Sequence, residues 1–168
     1  MSKAVMLSIR PKWVEKIANG EKTIEVRKTR PRLKTPFKCY IYCTLPKYPH
    51  EDFIATDYPR PQFYGGGKVI GEFTCERIAL IAYDGGELSS TINAAFSPAT
   101  CLTRSEIIAY IGDKGRCYGW HMSNLRIYDT PRELSEFTGL RNTRFGAAPY
   151  DIKRAPQSWG YVEVMKDD

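Results

Sequence analysis

The sequence predicts an α+β fold, a small β-barrel with two or three helices packed against it. Segments that alternate apolar and polar residues outnumber those with helical spacing. The few helical segments carry their own start and stop signals. The 168 residues, 42% hydrophobic and 26% charged, suit one globular domain of roughly 100 to 200 residues spanning 1–168. Repeats and low-complexity tracts are missing.

Taken in order, Val5, Leu7 and Ile9 alternate with Met6, Ser8 and Arg10, a short half-buried strand. Pro11 stands where a first helical residue belongs, because its missing N–H costs nothing there. Trp13, Val14 and Ile17 then form one apolar stripe, and Asn19-Gly20 supplies a stop with the φ > 0 residue that a helix C-terminus favours. A second strand follows directly, with Ile24 and Val26 set against Thr23, Glu25 and Arg27. A third, 37–44, puts Cys39, Ile41 and Cys43 on one face and Tyr40 and Tyr42 on the other. Residues 45–67 hold four prolines and a Gly-Gly-Gly run, which predicts a long surface excursion. Val69 to Cys75 reads as a strand continuing to Ile81, and 84–102 as a loop. Thr103-Arg104-Ser105-Glu106 is a capping box opening a helix that ends at Gly112. Cys117 to Tyr128 reads as extended, Thr130 to Glu133 as a capped turn or short helix, 139–157 as irregular and basic, and Trp159 to Val164 as a last strand.

The net charge of +6 is unevenly placed. Residues 1–38 hold eleven Lys/Arg against three Glu, a balance of +8, whereas the rest of the chain balances at −2. Such asymmetry suggests a surface that faces a polyanion. No apolar run approaches the ~18 residues of a membrane span, and Ala4-Val5-Met6-Leu7 is too short for a leader peptide core. Five cysteines, an odd number without a Cys-x-x-Cys pair, argue for reduced thiols. The expected location is cytoplasmic.

The densest chemistry lies in Gly20-Glu21-Lys22-Thr23-Ile24-Glu25-Val26-Arg27-Lys28. Glycine lets the chain turn so that Lys22 sits at the mouth of the turn. Glu25 and Arg27, two apart in a strand, share a face about 7 Å apart. Arginine offers a planar fork to a phosphate or base edge, lysine a point charge and glutamate an acceptor. Arg10, at the start of the first helix, is a further phosphate candidate.

Ser8-Ile9-Arg10-Pro11, the helix that follows, the Gly-x-Lys-x-x-Glu-x-Arg motif of Gly20 to Arg27, and Gly71-Glu72 in a strand together resemble the ASCH domain family and its PUA-like fold. Tyr118-Gly119-Trp120-His121 to Tyr128-Asp129 and Pro156-Gln157-Ser158-Trp159 resemble a phage or prophage branch of it. The resemblance implies a β-barrel with a cleft beside the first helix, lined by Lys22, Glu25 and Arg27, and a role in binding RNA or another nucleic acid. It also implies a second possibility, since some members hydrolyse N4-acetylcytidine and others are reported as nucleases. Lys22 matches the lysine of the amidohydrolase branch, whereas Glu25 stands where that branch has threonine. Glu72 is a further carboxylate candidate.

The expected function is therefore binding of RNA or single-stranded nucleic acid. Arg10, Lys22, Glu25, Arg27, Lys28, Trp120, His121 and Arg154 are the candidate contacts. The alternative is a hydrolase for a modified nucleoside, or a ribonuclease, with Lys22 and Glu25 as catalytic residues and a nucleoside-like small molecule as partner. Trp13, Tyr40, Tyr42, Tyr118, Trp120 and Trp159 are possible stacking platforms. No cofactor and no metal is expected. Cys39 and Cys43 lie four residues apart in one strand, about 13 Å, too far to share a zinc. Gly65-Gly66-Gly67-Lys68 lacks phosphate-loop spacing.

Overall fold

The computed structural model describes residues 2–45, 53–55, 62–64, 66–84, 86–88 and 96–166. The opening follows the hydrophobic pattern closely. β1 (Lys3–Ile9) leads through Arg10 into α1 (Pro11–Ala18), and β2 (Ile24–Arg27) leaves after a turn at Gly20, φ 77°. Next come β3 (Phe37–Cys43), a two-strand ladder of β4 (Phe53–Ala55) with β5 (Gln62–Tyr64), and the 17-residue β6 (Lys68–Asp84). The excursion at 45–67 thus contains a short ladder; its other residues, apart from 45, 66 and 67, lie outside the described ones.

Two short elements break the expected loop at 84–102: β7 (Glu87–Leu88) and α2 (Phe96–Thr100). α3 (Arg104–Ile111) has its capping box formed, with Thr103 and Glu106 bonded reciprocally. β8 (Arg116–Arg132) continues through the predicted turn at Thr130, and the cap moves to Glu133, which opens a 3-10 turn at Leu134–Glu136. Of the stretch 139–157 expected to be irregular, only 152–157 are; the rest is a hairpin. β9 (Thr138–Thr143) and β10 (Gly146–Asp151) make a hairpin, and β11 (Trp159–Glu163) closes the chain.

The main ladder runs β10-β9-β11-β1-β3-β6-β8-β2, with β7 pairing on β6. β1 and β3 are parallel, and the other pairs are antiparallel. Both faces are covered. Val5, Leu7, Ile9, Cys39, Ile41 and Cys43 pack with Val14 and Ile17 of α1, while Met6 and Tyr40 face a second cluster with Phe137 and Ile152. A third cluster joins β2 to α2 and α3 through Ile24, Val26, Phe96, Ile107 and Ile111. Side chains rather than a ladder bring the end strand β2 back to the middle of the sheet. The Arg27 guanidinium donates to the Ser8 carbonyl at 2.8 Å and to Ser158 at 3.2 Å, and the Trp159 indole donates to Thr29 at 2.9 Å.

Candidate functional site

These side-chain links leave a cleft of about 760 Å³ where β1, β2, α1 and α3 meet. Arg10, Trp13, Lys22, Glu25 and Arg27 line one side, all from the first 27 residues. Leu102, Glu106, Ala109 and Tyr110 of the α3 region line the other, and Gln157 lines it too.

Lys22 is held by the end of α1: the N–H groups of Glu21 and Lys22 both donate to the Lys16 carbonyl. That fold-back leaves Lys22 only 3% exposed. Its ammonium donates to the Thr100 carbonyl at 2.6 Å and lies 5.0 Å from the Trp13 ring centroid. Burial pulls the amine below its ordinary pKa, with Glu25 opposing and Arg27 adding to the shift.

Glu25 is also buried, because β2 is covered on both faces rather than one. Its Oε1 forms an ion pair with Arg27 Nε at 3.3 Å, without hydrogen-bond geometry, while Oε2 has no hydrogen-bond partner. An unpaired buried polar atom costs about 1–3 kcal/mol, and Glu25 lines the cleft, so a ligand's donor that reaches Oε2 relieves that cost. The terminal nitrogens of Arg27 are committed to Ser8 and Ser158, so this arginine shapes the cleft more than it can grip a phosphate.

Arg10 is exposed at the mouth. Lys28, Arg30, Arg32 and Lys34 are exposed along the segment after β2. Thr29 bonds Trp159 there, and the Arg32 backbone N–H bonds the Tyr161 hydroxyl, so this basic run crosses the β11 end of the sheet. Lys28 lies 5.2 Å from the Tyr110 ring, at the rim.

Three expected contacts fall elsewhere. Trp120 is fully buried, 6.0 Å from both Phe37 and Trp159, and presents no face to a base. His121 lines a separate cavity of about 510 Å³ with Arg77 and Phe96, and burial then Arg77 push its pKa down. Arg154 borders a third, small cavity with Met6 and Tyr150. Tyr40 is buried and accepts a bond from the Met165 N–H, so it is no platform either. Glu72 is paired with Lys38 at 3.2 Å and Arg126 at 3.4 Å and does not line the cleft. Among the described residues, no group of three or more His, Cys, Asp or Glu is placed to hold a metal ion.

Glu106 and Tyr110, at i and i+4 of α3, both line the cleft, a placement that the capping box at Thr103 to Glu106 does not reveal. Nothing in the sequence marks the Thr100 carbonyl, a backbone group in a five-residue helix.

No protein-family model and no curated protein matches the chain. Solved structures do. The ASCH protein of Zymomonas mobilis superposes with a TM-score of 0.60 at 18% identity, covering 95% of this chain and 87% of that one. The fold is that of an ASCH protein. A tyrosine-to-phenylalanine variant of the same Zymomonas protein gives 0.60 at 17% identity, covering 95% and 90%. A serine-to-alanine variant gives 0.60 at 18%, covering 95% and 88%. At this identity the likeness fixes the ASCH fold, and the chemistry of the cleft has to be argued from this chain's own residues. No helix among the described residues is long and apolar enough to cross a membrane.

Proposed function

We propose that the cleft takes one unpaired base of an RNA or other single-stranded nucleic acid. The observation that carries this reading is the buried acceptor Glu25 Oε2, which has no hydrogen-bond partner, together with Lys22 in a cleft of about 760 Å³ that Arg10 also lines. A base edge that offers a donor beside an acceptor pairs with Glu25 and with Lys22. Lys22 donates to a base carbonyl or a sugar oxygen, and Tyr110 and Trp13 wall the base. Arg10 and the exposed run of Lys28, Arg30, Arg32 and Lys34 take the phosphates on either side. The ASCH fold and the +8 balance of residues 1–38 support the same assignment.

Its test is the salt dependence of binding to a labelled single-stranded RNA. Each phosphate contact contributes a slope of about −0.7 in log K against log salt. Arg10→Ala and Lys28→Ala should each flatten the slope by about that amount. Absence of salt-sensitive binding to any oligonucleotide would dispose of the proposal.

Burial of Lys22 favours a second reading, hydrolysis of a modified nucleoside or of RNA. An amine held below its ordinary pKa beside a carboxylate is suited to accept a proton from water. Acylated cytidines and RNA that emerge unchanged from long incubation, as followed by chromatography, would exclude it.

A further inference from the structure

The β9–β10 hairpin carries a feature that neither the core nor the cleft uses. Its last register pair is Gly146↔Thr143, so Arg144 and Phe145 alone form the turn. All six residues 141–146 are exposed, and the Phe145 ring is 87% exposed, more than any other large hydrophobic side chain among the described residues. A phenylalanine so placed adds almost nothing to folding, since its apolar area stays in water.

The tip is nonetheless held in one shape. The Thr143 hydroxyl donates to the Gly146 carbonyl at 2.7 Å and accepts from the Phe145 N–H at 3.1 Å, and Gly146 takes a φ of 106°. Guanidinium groups flank the aromatic rings: Arg144 lies 4.8 Å from the Phe145 centroid and Arg141 4.4 Å from that of Tyr150. No acidic side chain occurs in 138–150, and Lys153 and Arg154 follow as further exposed cations.

The register also fixes where the tip points. β9 runs antiparallel to β11 through Val162↔Gly139, so the chain from Gly139 to Thr143 heads as β11 does read back from Val162 toward Ser158. Ser158 is the residue that Arg27 bonds at the cleft, and Gln157 lines it. The hairpin tip therefore projects at the cleft end of the sheet. It lies two strands over from β1, about 10 Å sideways at the usual strand spacing. The exposed basic segment after β2 crosses that same interval through Thr29 and Arg32.

We infer that Phe145 is a second stacking platform, on which an unpaired base of the strand leaving the cleft is seated, with Arg141 and Arg144 on its phosphates. This rests on the nucleic-acid reading of the cleft. A rigid exposed aromatic between arginines suits a base face and its backbone together. One ring is far too little for a stable protein interface of about 800 Å² per partner. It is also less apolar than the single acyl chain that by itself holds a membrane only marginally.

The test uses the full chain and a short single-stranded RNA, binding being read by anisotropy and stacking by the fluorescence of a 2-aminopurine placed at successive positions. Phe145→Ala should weaken binding about 5- to 150-fold without altering the salt slope. Phe145→Trp should retain affinity, and one 2-aminopurine position should lose its quenching only in Phe145→Ala. Arg144→Ala should instead flatten the slope by about 0.7. Tight RNA binding by wild type that is unchanged in Phe145→Ala overturns this inference and leaves the cleft assignment standing. The same holds if the substitution abolishes capture of a protein or an anionic vesicle while RNA affinity persists. No RNA binding by wild type overturns both.

Discussion

Replacing Arg27 with alanine removes four interactions at once. The guanidinium bonds the Ser8 carbonyl at 2.8 Å and the Ser158 carbonyl and hydroxyl, each at 3.2 Å, and its Nε lies 3.3 Å from Glu25. The Glu25 side chain is only 8% exposed and would be left as a buried carboxylate without its cation. Removing one partner of a buried ion pair costs about 3–5 kcal/mol, a large share of the roughly 5–15 kcal/mol a domain has in total. At about 2–4 °C per kcal/mol for a chain of this size, the midpoint should fall by roughly 6–20 °C. Urea unfolding followed by circular dichroism should show a lower midpoint. Glu25→Gln in the same background should recover part of the loss, because the stranded charge is gone, and a double-mutant cycle isolates that coupling. A cost below about 1 kcal/mol, or additive effects at the two positions, would refute the claim that Arg27 links β2 to the middle of the sheet.

Three further outcomes follow from the same geometry. Lys22 should titrate below 10.5, its ordinary value, when its side-chain amine is followed by NMR. The unfolded chain binds the proton more tightly than the folded one, so wild type should gain stability relative to Lys22→Met as pH rises from the lowered value toward the ordinary one. Gly119→Ala would place a Cβ 2.9 Å from the Phe96 ring. It should cost about 1–3 kcal/mol and, by displacing α2, shift the Lys22 amine resonance through Thr100. Burial raises the thiols of Cys39, Cys75 and Cys117, the last two to about 12 and about 11. Cys101 is half exposed, so Ellman's reagent at pH 8 should find it the fastest-reacting thiol in the native protein.

The strands that alternate cleanly were readable because one periodicity dominates each of them. β1, α1, β2 and β3 follow each other as Val5-Leu7-Ile9, Trp13-Val14-Ile17, Ile24-Val26 and Cys39-Ile41-Cys43 dictate. The hairpin was not readable. Its turn is Arg144-Phe145 rather than Asn-Gly, and Gly146-Ala-Ala-Pro149 has little β propensity, so pairing with β9 decides the strand. α2 has no cap signature and is held by tertiary links, the Thr23 N–H donating to the Ala99 carbonyl and Phe96 packing near Gly119. In the site, Lys22 and Glu25 were visible as chemistry, and their burial was not. Strand alternation implies one wet face for β2, whereas α2 and α3 pack on Ile24 and Val26 and the Arg27 side chain ties the other face to Ser8 and Ser158. Trp120 illustrates the same effect on β8, where the sequence leaves core and surface both open until β2 and β6 pair on either side of it.

The cleft assignment is tested most directly by fluorescence anisotropy with a labelled single-stranded RNA at two salt concentrations. Wild type is compared with Lys22→Met and Glu25→Gln, after urea unfolding has shown both variants folded. Removing one partner of a buried polar contact at an interface costs about 2–5 kcal/mol. Binding should therefore weaken with salt in wild type and fall at least about 30-fold in each variant. Affinity that survives both substitutions would take the nucleic acid out of the cleft and contradict the account.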